Sequence, residues 1–140
     1  MKVGSLQEFV KSESIIEDFS SDMFSIEDVH KIGILDIRLM NIDRNTCNIL
    51  VQKTIDPETS EVNLRLVPID HGMTLPDSLD VCSFELAWLS FDQAYESFST
   101  KTLEYISNLN IEEDVEYISS HFDIRSICLR NMRASGSLLK

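Results

Sequence analysis

Two β-rich runs separated by a single turn-forming segment constrain this chain more than any other feature. Asn48-Ile49-Leu50-Val51-Gln52 and Val62-Asn63-Leu64-Arg65-Leu66-Val67 are rich in β-branched and apolar residues, and Asp56-Pro57-Glu58-Thr59-Ser60 between them is rich in turn formers. The two runs therefore pair as a hairpin. Polar loops flank it: Asn41-Ile42-Asp43-Arg44-Asn45-Thr46-Cys47-Asn48 leads in, and Pro68-Ile69-Asp70-His71-Gly72 leads out. The expectation is that the closed end of the hairpin brings Asn48 and Asp70 together. An Asp-x-x-x-x-Asn segment alone is common in surface loops, where both residues serve as turn formers. A second aspartate in an Ile-Asp-x-Gly turn, one strand pair later, gives the pattern chemical content.

That content is phosphoryl transfer. The reaction asks for a carboxylate near the attacking hydroxyl and for oxygen ligands that fix magnesium against nucleotide phosphates, because magnesium takes hard donors in near-octahedral geometry. In this scheme Asp43 faces the hydroxyl as the catalytic residue. Asn48 and Asp70 hold the metal and, through it, ATP.

The run from His30 to Arg44, then Asn48-Ile49-Leu50-Val51, then Pro68-Ile69-Asp70-His71-Gly72-Met73-Thr74-Leu75-Pro76 resembles the phosphatidylinositol 3- and 4-kinase family. Within it the chain is most similar to the type II phosphatidylinositol 4-kinases and their plant-type gamma branch. Phe84-Glu85-Leu86-Ala87-Trp88 and Phe98 to Ile106 continue the likeness, which covers roughly residues 26 to 110. The resemblance implies transfer of the ATP γ-phosphoryl to the inositol ring of phosphatidylinositol on the cytoplasmic face of membranes, with peripheral membrane association. It makes Asp43 the catalytic-loop aspartate, Asn48 the loop metal ligand, and Asp70 the metal ligand of the Asp-x-Gly equivalent. Many relatives carry histidine two positions after the first aspartate, where this chain has Asn45. Asparagine takes up no proton near neutral pH, which leaves Asp43 as the side-chain base.

A kinase of this kind also needs an N-lobe with a glycine-rich loop over the phosphates and a strand lysine gripping them. The chain has 4 glycines and no Gly-x-Gly, and Lys2 and Lys11 lie in no strand of the Val-Ala-Ile-Lys type. The expected fold is therefore α+β: one domain over residues 1–140, a mainly helical kinase-like C-lobe with a small β-hairpin carrying the metal-binding loop, and no N-lobe. The isolated chain is expected to be inactive. The alternatives are a pseudokinase or protein-binding module derived from the same fold, or a protein kinase of the same family acting on a protein substrate. Without an N-lobe, apolar surface at Ile49, Val51, Val67 and Ile69 would lie open, predicting a homo-oligomer or capture of another polypeptide.

Composition narrows the partners. With 12 basic and 24 acidic residues the formal charge is −12, which argues against nucleic acid and against simple electrostatic docking on anionic lipid. No lysine or arginine occurs from Leu66 to Thr100, whereas Arg125, Arg130, Arg133 and Lys140 crowd the last 18 residues. The 3 cysteines, Cys47, Cys82 and Cys128, show no Cys-x-x-Cys spacing, so they read as reduced thiols. No apolar run approaches a membrane span, and the N-terminus has no signal-peptide core.

Along the chain, a short amphipathic helix is expected within Ser5 to Phe19, with a break at Ser20-Ser21-Asp22. A helix capped by Ser25 runs to about Leu39, its second half apolar nearly all round and hence buried. After the hairpin come a loop around Pro76 and two short helical pieces, Phe84 to Leu89 and Phe91 to Glu96, with Trp88 in the core. Ser99 begins a helix to about Leu109, and Asn110-Ile111-Glu112-Glu113 opens another by a capping box. The last begins near Asp123, with Ile124, Ile127, Cys128 and Met132 on its apolar side, and Ala134 to Lys140 fray. His30 and His121 read as caps or surface groups. Arg125, Arg130 and Arg133 read as a solvated face.

Overall fold

Ser25 stops one segment and starts the next. Its hydroxyl accepts the Asp28 backbone N–H at 3.1 Å, satisfying a donor that the first helical turn leaves unpaired, and helix α1 follows over Ile26–Leu39. The computed structural model describes residues 9–55, 57, 59–78 and 84–140. Beyond α1 the elements are β1 (Ser14–Ile15), β2 (Asp43–Arg44), β3 (Ile49–Ile55), β4 (Val62–Pro68), β5 (Glu85–Leu86), α2 (Thr100–Asn108), α3 (Ile111–His121) and α4 (Ser126–Gly136). Short 3₁₀ turns connect several of them.

The expected hairpin is present: β3 and β4 pair antiparallel from Ile49↔Pro68 to Ile55↔Val62. Asn48 and Asp70 flank it at the end remote from the turn, so they meet at the open end and not at the closed one. The sheet has a third strand as well. Ser14 and Ile15 pair antiparallel with Val51 and Leu50, so the part of the expected N-terminal helix within the described residues is a strand followed by a 3₁₀ turn. An open edge of β3 next to β-branched Ile15 and Ile16 outweighs helix formation there. The other edge is covered by α1, whose Asp28 carboxylate accepts the Leu66 N–H at 3.1 Å.

The main core lies between this sheet and α1. Val29 and Ile32 of α1, Ile49 and Val51 of β3, and Leu66 of β4 pack with Phe24, Trp88 and Phe91. Gly33 lies against the indole, where a Cβ would sit in van der Waals contact with the Trp88 ring at 3.4 Å. Ile49 and Val51, expected to lie open, are wholly buried under α1 and the aromatic residues, whereas Val67 and Ile69 are partly exposed. His30 departs from the surface role expected of it. It is buried, with Nε2 at 2.9 Å from the Gln93 carbonyl and its ring edge-on to Phe98.

The helical side follows its capping signals closely. Ser99 caps α2 through the Thr102 N–H, and Asn110 caps α3 through the N–H groups of Glu112 and Glu113 while donating to the Glu113 carboxylate at 2.7 Å. Arg38 of α1 donates to Asp114 of α3 at 2.6 Å, and this hydrogen bond with the charge of Asp114 holds the guanidinium pKa above its ordinary value. Arg125, Arg130 and Arg133 are exposed, as expected of a solvated face, with Arg125 paired to Asp77 and Arg133 to Glu112.

The C-terminal residues do not fray. α4 continues through buried Ser135 and Gly136, Ser135 donates to the Ile37 carbonyl, and the Lys140 ammonium donates to the carbonyls of Ile106 and Ser107 at 2.9 Å. A cation at the α2 C-terminus complements the helix dipole. Gly136 is needed for this closure: an added Cβ would lie 2.7 Å from Ile111 Cδ1 and 3.0 Å from Cγ1. Gly136→Ala gains helix propensity but overpacks the α3–α4 contact, and a net loss of about 1–2 kcal/mol is expected. A thermal melt about 5 °C lower than the parent checks it.

Candidate functional site

The site begins where α1 ends. Met40 adopts the left-handed conformation, φ 50°, and returns its N–H to the carbonyls of Asp36 and Ile37. Buried Asn41 follows, its N–H bonded to the Asp36 carbonyl at 2.8 Å and its Oδ1 accepting the Asp43 N–H at 3.1 Å. β2 then pairs in parallel with β5, Asp43 opposite Glu85 and Arg44 opposite Leu86. Asn45 caps the 3₁₀ turn Thr46–Asn48 by accepting the Cys47 N–H, and its Nδ2 donates to Asp43 Oδ1 at 2.9 Å. Asn48 donates from Nδ2 to the Asp43 carbonyl at 3.1 Å, which leaves its Oδ1 facing the other way.

The second loop follows β4. Ile69 N–H donates to the Asn48 carbonyl at 3.0 Å, placing Asp70 one residue beyond that junction. Asp70 has φ 48°, and its Oδ1 accepts the Gly72 N–H at 3.1 Å. The His71 carbonyl accepts both the N–H and the hydroxyl of Thr74, and Leu75 N–H returns to the Leu39 carbonyl. The structure thus brings the loop of Asp43 and Asn48 against the loop of Asp70.

Arg44 joins them. It is wholly buried and forms an ion pair with Asp36 at 2.9 Å, Asp36 being nearly as deep. Its Nη1 donates to the carbonyls of Asn48 at 3.1 Å and Ile69 at 2.5 Å, and its Nη2 lies 3.0 Å from His71 Nδ1. Asp36 also accepts from Asn41 Nδ2 at 2.9 Å and Trp88 Nε1 at 3.1 Å. One guanidinium fork therefore ties α1, both loops and, through Asp36, the Trp88 segment. Sequence reasoning missed it. The available signal was an aspartate inside the apolar half of α1, which cannot be buried unpaired. Desolvation, and then the neighbouring Arg44 charge, lower the His71 pKa, so its Nδ1 serves as an acceptor toward Arg44.

Among the described residues no three or more His, Cys, Asp or Glu side chains gather into a metal cluster, and the histidines are dispersed. Cys47 is exposed and Cys128 buried, both free, while Cys82 lies outside the described residues.

An α+β unit in which a buried helix feeds a polar loop, and a hairpin returns a second polar turn beside it, is consistent with a kinase-like C-lobe. The family model for phosphatidylinositol 3- and 4-kinase matches residues 1–140, and the chain belongs to that family. It is 43% identical over 140 residues to phosphatidylinositol 4-kinase gamma 3 of Arabidopsis thaliana, covering 99% of this chain and 23% of that protein. It is 42% identical to phosphatidylinositol 4-kinase gamma 4 of Oryza sativa subsp. japonica, with 99% of this chain and 24% of that protein covered. Phosphatidylinositol 4-kinase gamma 1 of Arabidopsis thaliana is 43% identical over 119 residues, 84% of this chain and 21% of that protein. The chain thus spans about a quarter of the length of these relatives.

Proposed function

We propose that this chain supplies the catalytic and metal-binding half of an ATP-dependent phosphatidylinositol 4-kinase, a fragment inactive by itself and active as part of a complete domain. The observation that carries the reading is the Arg44 fork, which fixes the loop of Asp43 and Asn48 to the loop of Asp70 through the carbonyls of Asn48 and Ile69. Phosphoryl transfer depends on positioning more than on covalent chemistry, and a buried bidentate donor is a rigid way to supply it.

Asn48 Oδ1 and the Asp70 carboxylate would hold magnesium, and they fit it: both are hard oxygen donors, and the Asn48 amide nitrogen is already committed to the Asp43 carbonyl. Bound magnesium supplies charge neutralisation at the nucleotide phosphates. Asp43 receives the proton of the attacking inositol hydroxyl. Asn45 donates to Asp43 Oδ1 and so orients the carboxylate, leaving Oδ2 toward the hydroxyl. Asn45 carries no proton itself near neutral pH. Among the described residues no helix is long and apolar enough to cross a membrane. The proposed encounter with the lipid is peripheral, at a cytoplasmic membrane face.

The test is transfer of labelled γ-phosphate from ATP to phosphatidylinositol in vesicles. A complete kinase domain carrying this segment is expected to label the lipid, and the 140-residue chain alone is expected to give no turnover and only weak magnesium–ATP affinity. Robust labelling by the isolated chain, or labelling of protein in preference to lipid by the complete domain, contradicts the proposal.

A further inference from the structure

We propose that His71 is a positioning residue that sets the placement of the Asp70 carboxylate and thereby the magnesium requirement of the site; the inference rests on the assignment of Asp70 above. Asp70 sits at φ 48°, a left-handed conformation that aspartate adopts more readily than most L-residues and that its surroundings hold in place. Two anchors hold it. One is its own Oδ1, bonded to the Gly72 N–H. That anchor uses the same carboxylate a cation would draw on.

The other anchor is His71, the next residue. Its Nδ1 takes a hydrogen from Arg44 Nη2 at 3.0 Å, and its carbonyl takes two from Thr74, at 3.2 Å from N and 2.9 Å from Oγ1. Arg44 is fixed by Asp36, so the chain Asp36–Arg44–His71 runs from the buried end of α1 to the backbone beside Asp70. The ring adds little to the core, because His71 is exposed overall; its Nδ1 end meets the buried guanidinium, and the ring also hydrogen-bonds the Pro68 backbone. Hydrogen-bonded partners behind a metal ligand typically change metal affinity 10- to 100-fold when removed.

The role makes a distinction that packing does not. Asparagine presents Oδ1 close to where histidine presents Nδ1, so His71→Asn can keep the Arg44 bond, whereas His71→Ala cannot. In the complete kinase domain, magnesium is titrated into the protein with a non-hydrolysable ATP analogue and binding is read by calorimetry, alongside turnover at saturating magnesium. His71→Ala is expected to raise the magnesium concentration for half-maximal binding about tenfold or more. Turnover at saturating magnesium is expected to fall by less than the magnesium affinity does, since the ligands themselves are intact. His71→Asn is expected to return the magnesium requirement to within about threefold of the parent.

Equal displacement in the Ala and Asn variants overturns the proposal. So does an unchanged requirement in His71→Ala while Asp70→Asn raises it; in that case the site assignment stands and only the role of His71 falls. If Asp70→Asn also leaves the requirement unchanged, the site assignment fails and the proposal falls with it.

Discussion

Asp70→Asn is expected to lower turnover of a complete kinase domain carrying this segment by about 1,000-fold or more, the scale on which positioned charge at a transferring phosphoryl group acts. The substitution preserves volume and the Oδ1 that accepts the Gly72 N–H, so the turn survives while the negative charge on the proposed metal ligand is lost. Asp43→Asn removes the proposed proton acceptor while the loop bonds of Asn41 and Asn48 to the Asp43 backbone remain. Its effect falls on the chemical step, with nucleotide affinity near the parental value. Single-turnover kinetics beside equilibrium nucleotide binding separate the two. Near-parental rates in both variants contradict the assignment.

Arg44→Met is expected to be the most destabilising single substitution at the site. It leaves Asp36 a buried carboxylate facing only the donors of Asn41 and Trp88, and strips donors from the carbonyls of Asn48 and Ile69. Removing one partner of a buried ion pair costs about 3–5 kcal/mol, a large part of the roughly 5–15 kcal/mol that hold a domain folded. A fall in Tm of about 10–20 °C follows for a chain of this size. Asp36→Leu with Arg44→Met removes both charges and is expected to recover much of the lost stability. It does not restore the junction between the loops, so the double variant in a complete domain folds without regaining activity. Thermal melts with the kinase assay on the same preparations check both halves of this expectation.

What the sequence made legible was what is encoded locally. Ser25, Ser99 and Asn110 mark helix starts through side-chain caps, and all three helices begin one residue later. The hairpin followed from β-branched runs around a turn segment, and family membership from the residues around Asp43, Asn48 and Asp70. What was hidden depends on distant partners. β1 exists because Val51 and Leu50 offer an open edge, and the C-terminal residues are ordered because Ile37, Ile106 and Ser107 offer carbonyls to Ser135 and Lys140. The Arg44 fork joins residues 4 to 27 positions apart through an aspartate on one face of α1 that helical periodicity alone reads as an interruption. Position along a hairpin was also misjudged: residues flanking a strand pair meet at its open end, as the Ile69–Asn48 bond shows.

The central claim is that Asn48 and Asp70 together hold the nucleotide's metal. Manganese, a hard dication that takes the same oxygen donors as magnesium, broadens the nuclear resonances close to it. In a complete, ¹⁵N-labelled domain with ATP present, manganese is predicted to erase the Asn48 side-chain amide and the Gly72 backbone amide first. The Val115 amide, in the middle of α3, is predicted to stay sharp. Broadening centred elsewhere, or undiminished in Asp70→Asn, contradicts the account.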